Sequence, residues 1–140
     1  MIGFNDVKTS TGVHFEVARN TSLTGSASKV IPWEFERLNI GGAMNLKTGV
    51  FTAPVNGRYQ FSFNGRSLNA GNTTVSIRVD ENAIGSAFQL VERGNLPLMT
   101  TANLKKGDPV DAFMNAGSLF DNNWNFNRFS GILLEEELNL

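Results

Sequence analysis

The sequence predicts an all-β domain, a sandwich or barrel of short strands. Three observations lead there. Apolar residues recur at every second position in short runs, most clearly Tyr59, Phe61 and Phe63 with Gln60 and Ser62 between them. Turn formers separate these runs, with 14 Gly among 140 residues and many Asn. No stretch of helical period intervenes, which argues against a parallel sheet with crossover helices.

Taken in order, Val13, Phe15 and Val17 alternate with His14, Glu16 and Ala18 as a first strand. "RNTSLTGSAS" reads as a loop, and "VIPWEF" as a short apolar run. Ile31, Trp33 and Phe35 share one parity in it, which places Trp33 in the core. "IGGAMNLKTG" reads as turns. "VFTAPV" and "RYQFSF" flank Asn56-Gly57, which with Pro54 marks a tight turn between extended segments. Val75, Ile77 and Val79 alternate, and "DENA" follows as a turn. "AIGSAFQLV", "LPLMTTANL", "PVDAFMNA" and "NRFSGILLEE" complete the strands. "FSGILL" is apolar or small throughout, so both its faces should be buried. A partner subunit would cover the outer face. The alternative is a crowded core with Ser130 and Gly131 turned outwards. "VDAFMNAGSLF" also has apolar residues of both parities, Val110 and Met114 on one face and Phe113 on the other.

The length fits one domain that buries roughly two-thirds of its unfolded surface. Charged residues make up 18%, below the usual quarter, which is compatible with a surface partly buried by self-association. Net charge is −1 and Lys105-Lys106 is the only adjacent pair of cations, so the cluster that duplex binding needs is missing and no nucleic acid is expected. No apolar run reaches the roughly 20 residues of a membrane span. Residues 1–8 lack the apolar segment of a secretory leader, so a secreted form would be mature or trimmed with a retained or added Met1. The absence of Cys excludes thiol catalysis, cysteine zinc sites and disulfides. Asn20-Thr21-Ser22 and Asn72-Thr73-Thr74 are glycosylation sequons in turn-like stretches, though such triplets also arise by chance.

The search for catalytic motifs gives no enzyme. His14 is the only histidine, and no G-x-S-x-G elbow, Walker A motif or G-x-G-x-x-G occurs. Asp108 and Asp111, three apart on an extended chain, point to opposite faces, and Asp108 reads as a turn residue. "EEE" at 135–137 reads as a solvated acidic end. Trp124 lies in "FDNNWNFN", where an indole beside Asn122 and Asn123 has the equipment for sugar binding. Equally, Trp124 or Phe126 could plug the end of a sandwich. Arg66 and Arg93 could serve an anionic ligand or stand as scattered surface cations.

Five segments in order carry a family resemblance. They are Phe15, Val17 and Arg19; Asn39, Gly41 and Gly42; Thr48, Gly49, Phe51, Ala53, Pro54, Gly57, Tyr59 and Phe61; Leu104, Gly107, Asp108 and Val110; and Phe129, Ser130, Gly131, Leu133 and Leu134. Over residues 13 to 134 the chain resembles the C1q domain, the globular head of complement C1q, in the style of short invertebrate members. The resemblance implies a ten-stranded jelly-roll sandwich of the C1q/TNF-like type that assembles as a trimer. It implies residues 1–12 as a leader or linker remnant, 13–135 as the globular domain and 136–140 as a tail. In related jelly rolls the strand of Tyr59 lies in the sheet around the threefold axis. Gln60 and Ser62, with Phe113 and Leu133, are therefore expected at the trimer interface.

The function so implied is extracellular, lectin-like recognition of glycans, microbial surface patterns or protein ligands, as in innate immunity. The alternatives are a trimerisation domain of a matrix or collagen-like protein, and a cytokine-like receptor ligand. No cofactor is expected. Some members hold calcium near the trimer apex; in "LVERGNLPL" the only acid is Glu92, and although a threefold axis could bring three copies of it together, calcium, which takes six to eight oxygens, is not favoured.

Overall fold

A computed structural model describes residues 12–25 and 28–138. All regular structure in it is extended. The strands are β1 (His14–Ala18), β2 (Thr21–Leu23), β3 (Lys29–Val30), β4 (Phe35–Ile40), β5 (Met44–Asn45), β6 (Val50–Thr52), β7 (Gly57–Arg66), β8 (Thr73–Val79), β9 (Asn82–Gln89), β10 (Asn95–Leu104), β11 (Pro109–Ala116), β12 (Leu119–Asn122) and β13 (Arg128–Glu136). Ten of them form two antiparallel sheets of five, in the orders β10-β7-β13-β1-β4 and β5-β6-β11-β8-β9. β3 adds to the second sheet beside β11, and β2 with β12 forms a separate ribbon. Among the described residues no helix is long and apolar enough to cross a membrane.

The predicted alternation is visible in β7. Tyr59, Phe61 and Phe63 are fully buried between the sheets, and Gln60, Ser62 and Asn64 face outwards. Phe15, Phe51 and Phe129 pack around them, with Phe15 and Phe51 stacked at 5.0 Å and Phe15 edge-on to Phe129 at 5.1 Å. Such aromatic pairs add to the transfer free energy of burying the rings. Trp33 joins this core and stacks on Phe129 at 6.1 Å, as its parity predicts.

Asn56-Gly57 does not close a hairpin. β6 belongs to one sheet and β7 to the other, so residues 53–56 carry the chain across the sandwich. Gly57 is needed for close approach, because a Cβ there would press on the Glu135 carbonyl and the Leu133 side chain. This corner is fastened to a second turn. Ala53 N–H donates to the Asp108 carbonyl (3.0 Å), Gly107 N–H donates to the Ala53 carbonyl (2.8 Å) and Lys106 N–H to Asn56 Oδ1 (2.7 Å). Within that second turn Asp108 Oδ2 accepts from Lys105 N–H at 2.9 Å, the turn role expected of it, and Gly107 sits at φ +97°.

One expectation for "FSGILL" changes. Gly131 faces inwards against the Phe15 and Phe61 rings, while Ser130 faces outwards and its hydroxyl meets that of Ser62 at 2.7 Å. In the single chain β13 is buried on one face only, and Ile132 and Leu134 lie exposed on the other. β2 occupies a stretch that reads as loop and β5 one that reads as turns, while most of β4 falls between the predicted runs. β4 is an edge strand of half-buried and exposed residues, so no apolar alternation marks it. β13 continues to Glu136, and the leader region at 1–11 lies outside the described residues.

Candidate functional site

At the end of the sandwich where β7 finishes and β13 begins, the loop after β12 folds over the five-stranded sheet. Asp121 builds this loop. Its side chain is buried, Oδ1 accepts from the N–H groups of Asn122 (2.9 Å) and Trp124 (3.1 Å), and Oδ2 accepts from the N–H and side-chain amide of Asn127 (both 3.2 Å). A carboxylate taking several backbone N–H groups fixes a turn without a strand's help. Asn123 and Asn125 adopt φ of +63° and +54°, conformations that Asn tolerates better than most residues. Asn127 is fully buried and ties the loop to β7, accepting from Arg66 N–H at 3.1 Å and donating to the Phe120 carbonyl at 2.6 Å.

The loop holds Trp124 out, with 71% of its surface exposed. Phe126, two residues on, is half-buried. It stacks on Phe120 at 5.9 Å, and Arg66 lies over its ring at 4.7 Å. Arg93 covers Phe120 at 3.8 Å, so the order is cation, ring, ring, cation. Arg66 is further held by a hydrogen bond to the Arg93 carbonyl at 3.1 Å.

Below Trp124 is an open cleft of about 430 Å³, a size that suits a small ligand. Arg37, Asn64, Arg66, Asn95, Trp124 and Arg128 line it, with Leu96, Pro97 and Phe126 among the apolar parts. Of the four sequence candidates, Trp124 and Arg66 meet here. Asn122 and Asn123 are exposed on the same loop but outside the cleft lining, and the amides that do line it are Asn64, Asn95 and Asn125. Sequence reasoning missed Arg37 and Arg128, because β4, β7 and β13 bring these cations together only in the folded sheet.

The four interface candidates also separate. Gln60 and Ser62 face outwards on the five-stranded sheet, where Gln60 meets Met99 Sδ at 3.3 Å. Leu133 pairs in register with Tyr59 and turns inwards against the core. Phe113 lies on the opposite sheet beneath the Arg78 guanidinium at 3.8 Å, and Arg78 pairs with Asp111 through two contacts of 2.8 and 2.9 Å. Of the sequons, Asn72 is exposed and its Oδ1 accepts from Thr74 Oγ1 at 2.6 Å, whereas Asn20 Oδ1 takes the Asn125 amide at 2.7 Å.

The residues here do not fit a calcium site within one chain. Glu92 is exposed in the turn after β9 with Arg93 beside it, and both Asp121 oxygens are spent on amides. Among the described residues no three His, Cys, Asp or Glu gather as a metal-binding group.

A family model for the C1q domain matches residues 14–134, most of the chain. The chain belongs to the C1q domain family. Among solved structures it is similar to the globular domain of zebrafish complement 1qA protein, at 21% identity and TM-score 0.71 over 89% of this chain and 99% of that one. It is similar in fold to the Eiger TNF of S. frugiperda, at 10% identity and TM-score 0.75 over 93% and 97%. Murine APRIL gives 7% identity and TM-score 0.68 over 88% and 99%. These likenesses establish the jelly-roll sandwich of the C1q and TNF type. In this C1q domain the stretches that carry the family resemblance meet in space: the Ala53-Pro54 corner bonds to the Gly107-Asp108 turn, and Gly131 packs on Phe15 and Phe61.

Proposed function

We propose that this C1q domain is a secreted, trimeric recognition module whose ligand site is the cleft under Trp124. The observation that carries the reading is the exposed indole, set over a cleft lined with amides and guanidinium groups by a loop whose backbone Asp121 fixes. A loop backbone already fixed by internal hydrogen bonds costs less to order on binding than a mobile one. An indole gives sugar C–H faces a surface to stack on, and Asn64 and Asn95 offer both donors and acceptors for hydroxyls. Carbohydrate is therefore the ligand class the site suits best.

Assembly supports the same reading. Met99, Ile132 and Leu134 are exposed on the outward face of the five-stranded sheet, beside Gln60, Ser62 and Ser130. Phe88, Leu90 and Val91 are exposed at the edge where β9 meets β10. Two different apolar patches on one chain suit a heterologous contact, which forms a ring when its rotation closes after three copies. Three linked clefts would then bind a repetitive surface with avidity that one cleft lacks.

The test is a glycan array probed with the wild-type chain and with Trp124→Ala. The expected result is binding to a subset of glycans that drops roughly five- to tenfold in the variant. An array unresponsive to the wild-type chain, or signals unchanged by the substitution, would overturn the reading.

A further inference from the structure

The cleft has an electrostatic asymmetry that a neutral sugar would not use. Three of its lining residues are arginines, Arg37, Arg66 and Arg128, and none is acidic, although the chain as a whole carries a net charge of −1. The three differ in how far they are compensated. Arg37 Nε is paired with Glu16 at 3.2 Å. Arg66 is positioned by the Arg93 carbonyl and the Phe126 ring, neither of which neutralises it. Arg128 has no hydrogen-bonding or ion-pairing partner for its side chain among the described residues. Two guanidinium groups with uncancelled charge therefore flank one cleft, on neighbouring strands whose register sets Arg128 opposite Asn64.

We propose that the cleft takes an anionic saccharide, a sugar ring bearing a sulfate ester or a carboxylate. The inference rests on the cleft being the ligand site and adds the charge of the ligand. Guanidinium groups donate paired N–H bonds to planar or tetrahedral oxyanions, and such charge-assisted bonds are roughly twice as strong as neutral ones. Trp124 would stack on the ring while Asn64 and Asn95 bond its hydroxyls. The sugar supplies the shape that a bare inorganic anion lacks, and the anion supplies the charge that a neutral sugar lacks. The chain has a net charge of −1 and no basic run in its sequence, so the site suits a charged residue of a glycan better than a polynucleotide backbone.

The test measures binding of the full chain to three immobilised probes: a sulfated oligosaccharide, its desulfated counterpart and an oligogalacturonide. Arg128→Gln removes the uncompensated charge at an exposed position, and Lys106→Gln removes an equal charge at the far turn as a control. Wild type should bind the sulfated probe, the carboxylated probe or both about tenfold or more tightly than the neutral one. Which charged arm responds identifies the source of the anion. Arg128→Gln should erase that preference, and Lys106→Gln should keep it. Equal binding of charged and neutral probes, with Trp124→Ala weakening both, would overturn the anionic ligand and leave the cleft as a neutral-sugar site. A preference lost equally in Lys106→Gln would show non-specific attraction and overturn the inference. Binding unmoved by both Arg128→Gln and Trp124→Ala would overturn the inference and the cleft reading together.

Discussion

Gly131 and Gly107 both belong to the stretches that resemble the family pattern, yet they are there for different reasons. Gly107 has open space around its missing Cβ and a φ of +97°, so its conformation is the constraint. Gly131 has ordinary backbone geometry, but a Cβ would overlap the rings of Phe15 and Phe61. Those rings sit among Phe51, Tyr59 and Phe129 and have little room to withdraw. Gly131→Ala should therefore destabilise the domain by about 1–3 kcal/mol, the cost of overpacking a filled core. Urea denaturation checks this, with a lower midpoint and an unchanged slope expected. A midpoint equal to wild type would mean that the rings yield freely. The sequence alone could not distinguish these glycines. Periodicity made Tyr59, Phe61 and Phe63 legible as core, but a glycine shows no parity preference, and an outward Gly131 remained compatible with the pattern. Leu133 was obscured for a related reason, since an apolar or small residue at every position of "FSGILL" hides which of them face the core.

Elements were legible in proportion to the apolar alternation they carry. β7 declared itself. β4 did not, because at the edge of its sheet it buries little, and β2 and β12 are held by side chains more than by a ladder. The corner between β1 and β2 illustrates such holding. Glu34 Oε1 accepts from the N–H groups of Asn20 (2.6 Å) and Thr21 (2.8 Å), Oε2 accepts from Thr21 Oγ1 (2.8 Å), and Arg19 lies 3.9 Å away. Burial pushes this carboxyl up, but the bonds from Thr21 and Asn20 and the charge of Arg19 outweigh it and hold Glu34 below the usual carboxylate range. A folded-state pKa that is depressed contributes stability above the unfolded pKa, and that stability is lost as pH falls through the folded value. Glu34→Gln should thus melt below wild type at neutral pH, and the gap should close as the solution is acidified through the carboxylate range. Thermal melts of both proteins in steps from neutral to about pH 3 measure it, the range being set by the ordinary Glu value near 4.3. A gap that stays constant with pH would show that the bonds, and not the charge, hold the corner. The cleft was less legible than either sheet because its arginines stand on three strands that are distant in sequence. Only Trp124, flanked by turn-forming asparagines, announced itself.

At the scale of the whole molecule the remaining question is what covers the outward face of the five-stranded sheet. That face is graded. At one end lie Arg37, Arg66 and Arg128 around the cleft; the Ser62–Ser130 pair follows with Met99 level with it on β10, and then Ile132 and Leu134. Exposed apolar groups of this size in a chain with 18% charged residues are costly in water, and a second copy is the partner always present at matching concentration. A contact of this face with its own like would close a dimer with twofold symmetry. A contact with the β9 edge, where Phe88 is 66% exposed, leaves one face and one edge free on each pair, and a third copy can occupy both. The second arrangement engages both patches and agrees with the trimer expected of the family. It makes two substitutions on opposite patches equivalent in effect: Ile132→Glu and Phe88→Glu should each reduce the mass from three chains to one while leaving the circular dichroism of the fold intact. Mixing the two variants should not restore full trimers, because each ring still contains contacts with one glutamate in place of an apolar side chain. Light scattering over a hundredfold dilution reads the outcome. Loss of assembly with Ile132→Glu but not with Phe88→Glu would favour a face-to-face dimer, and a wild-type chain that is monomeric throughout would leave both patches for other partners.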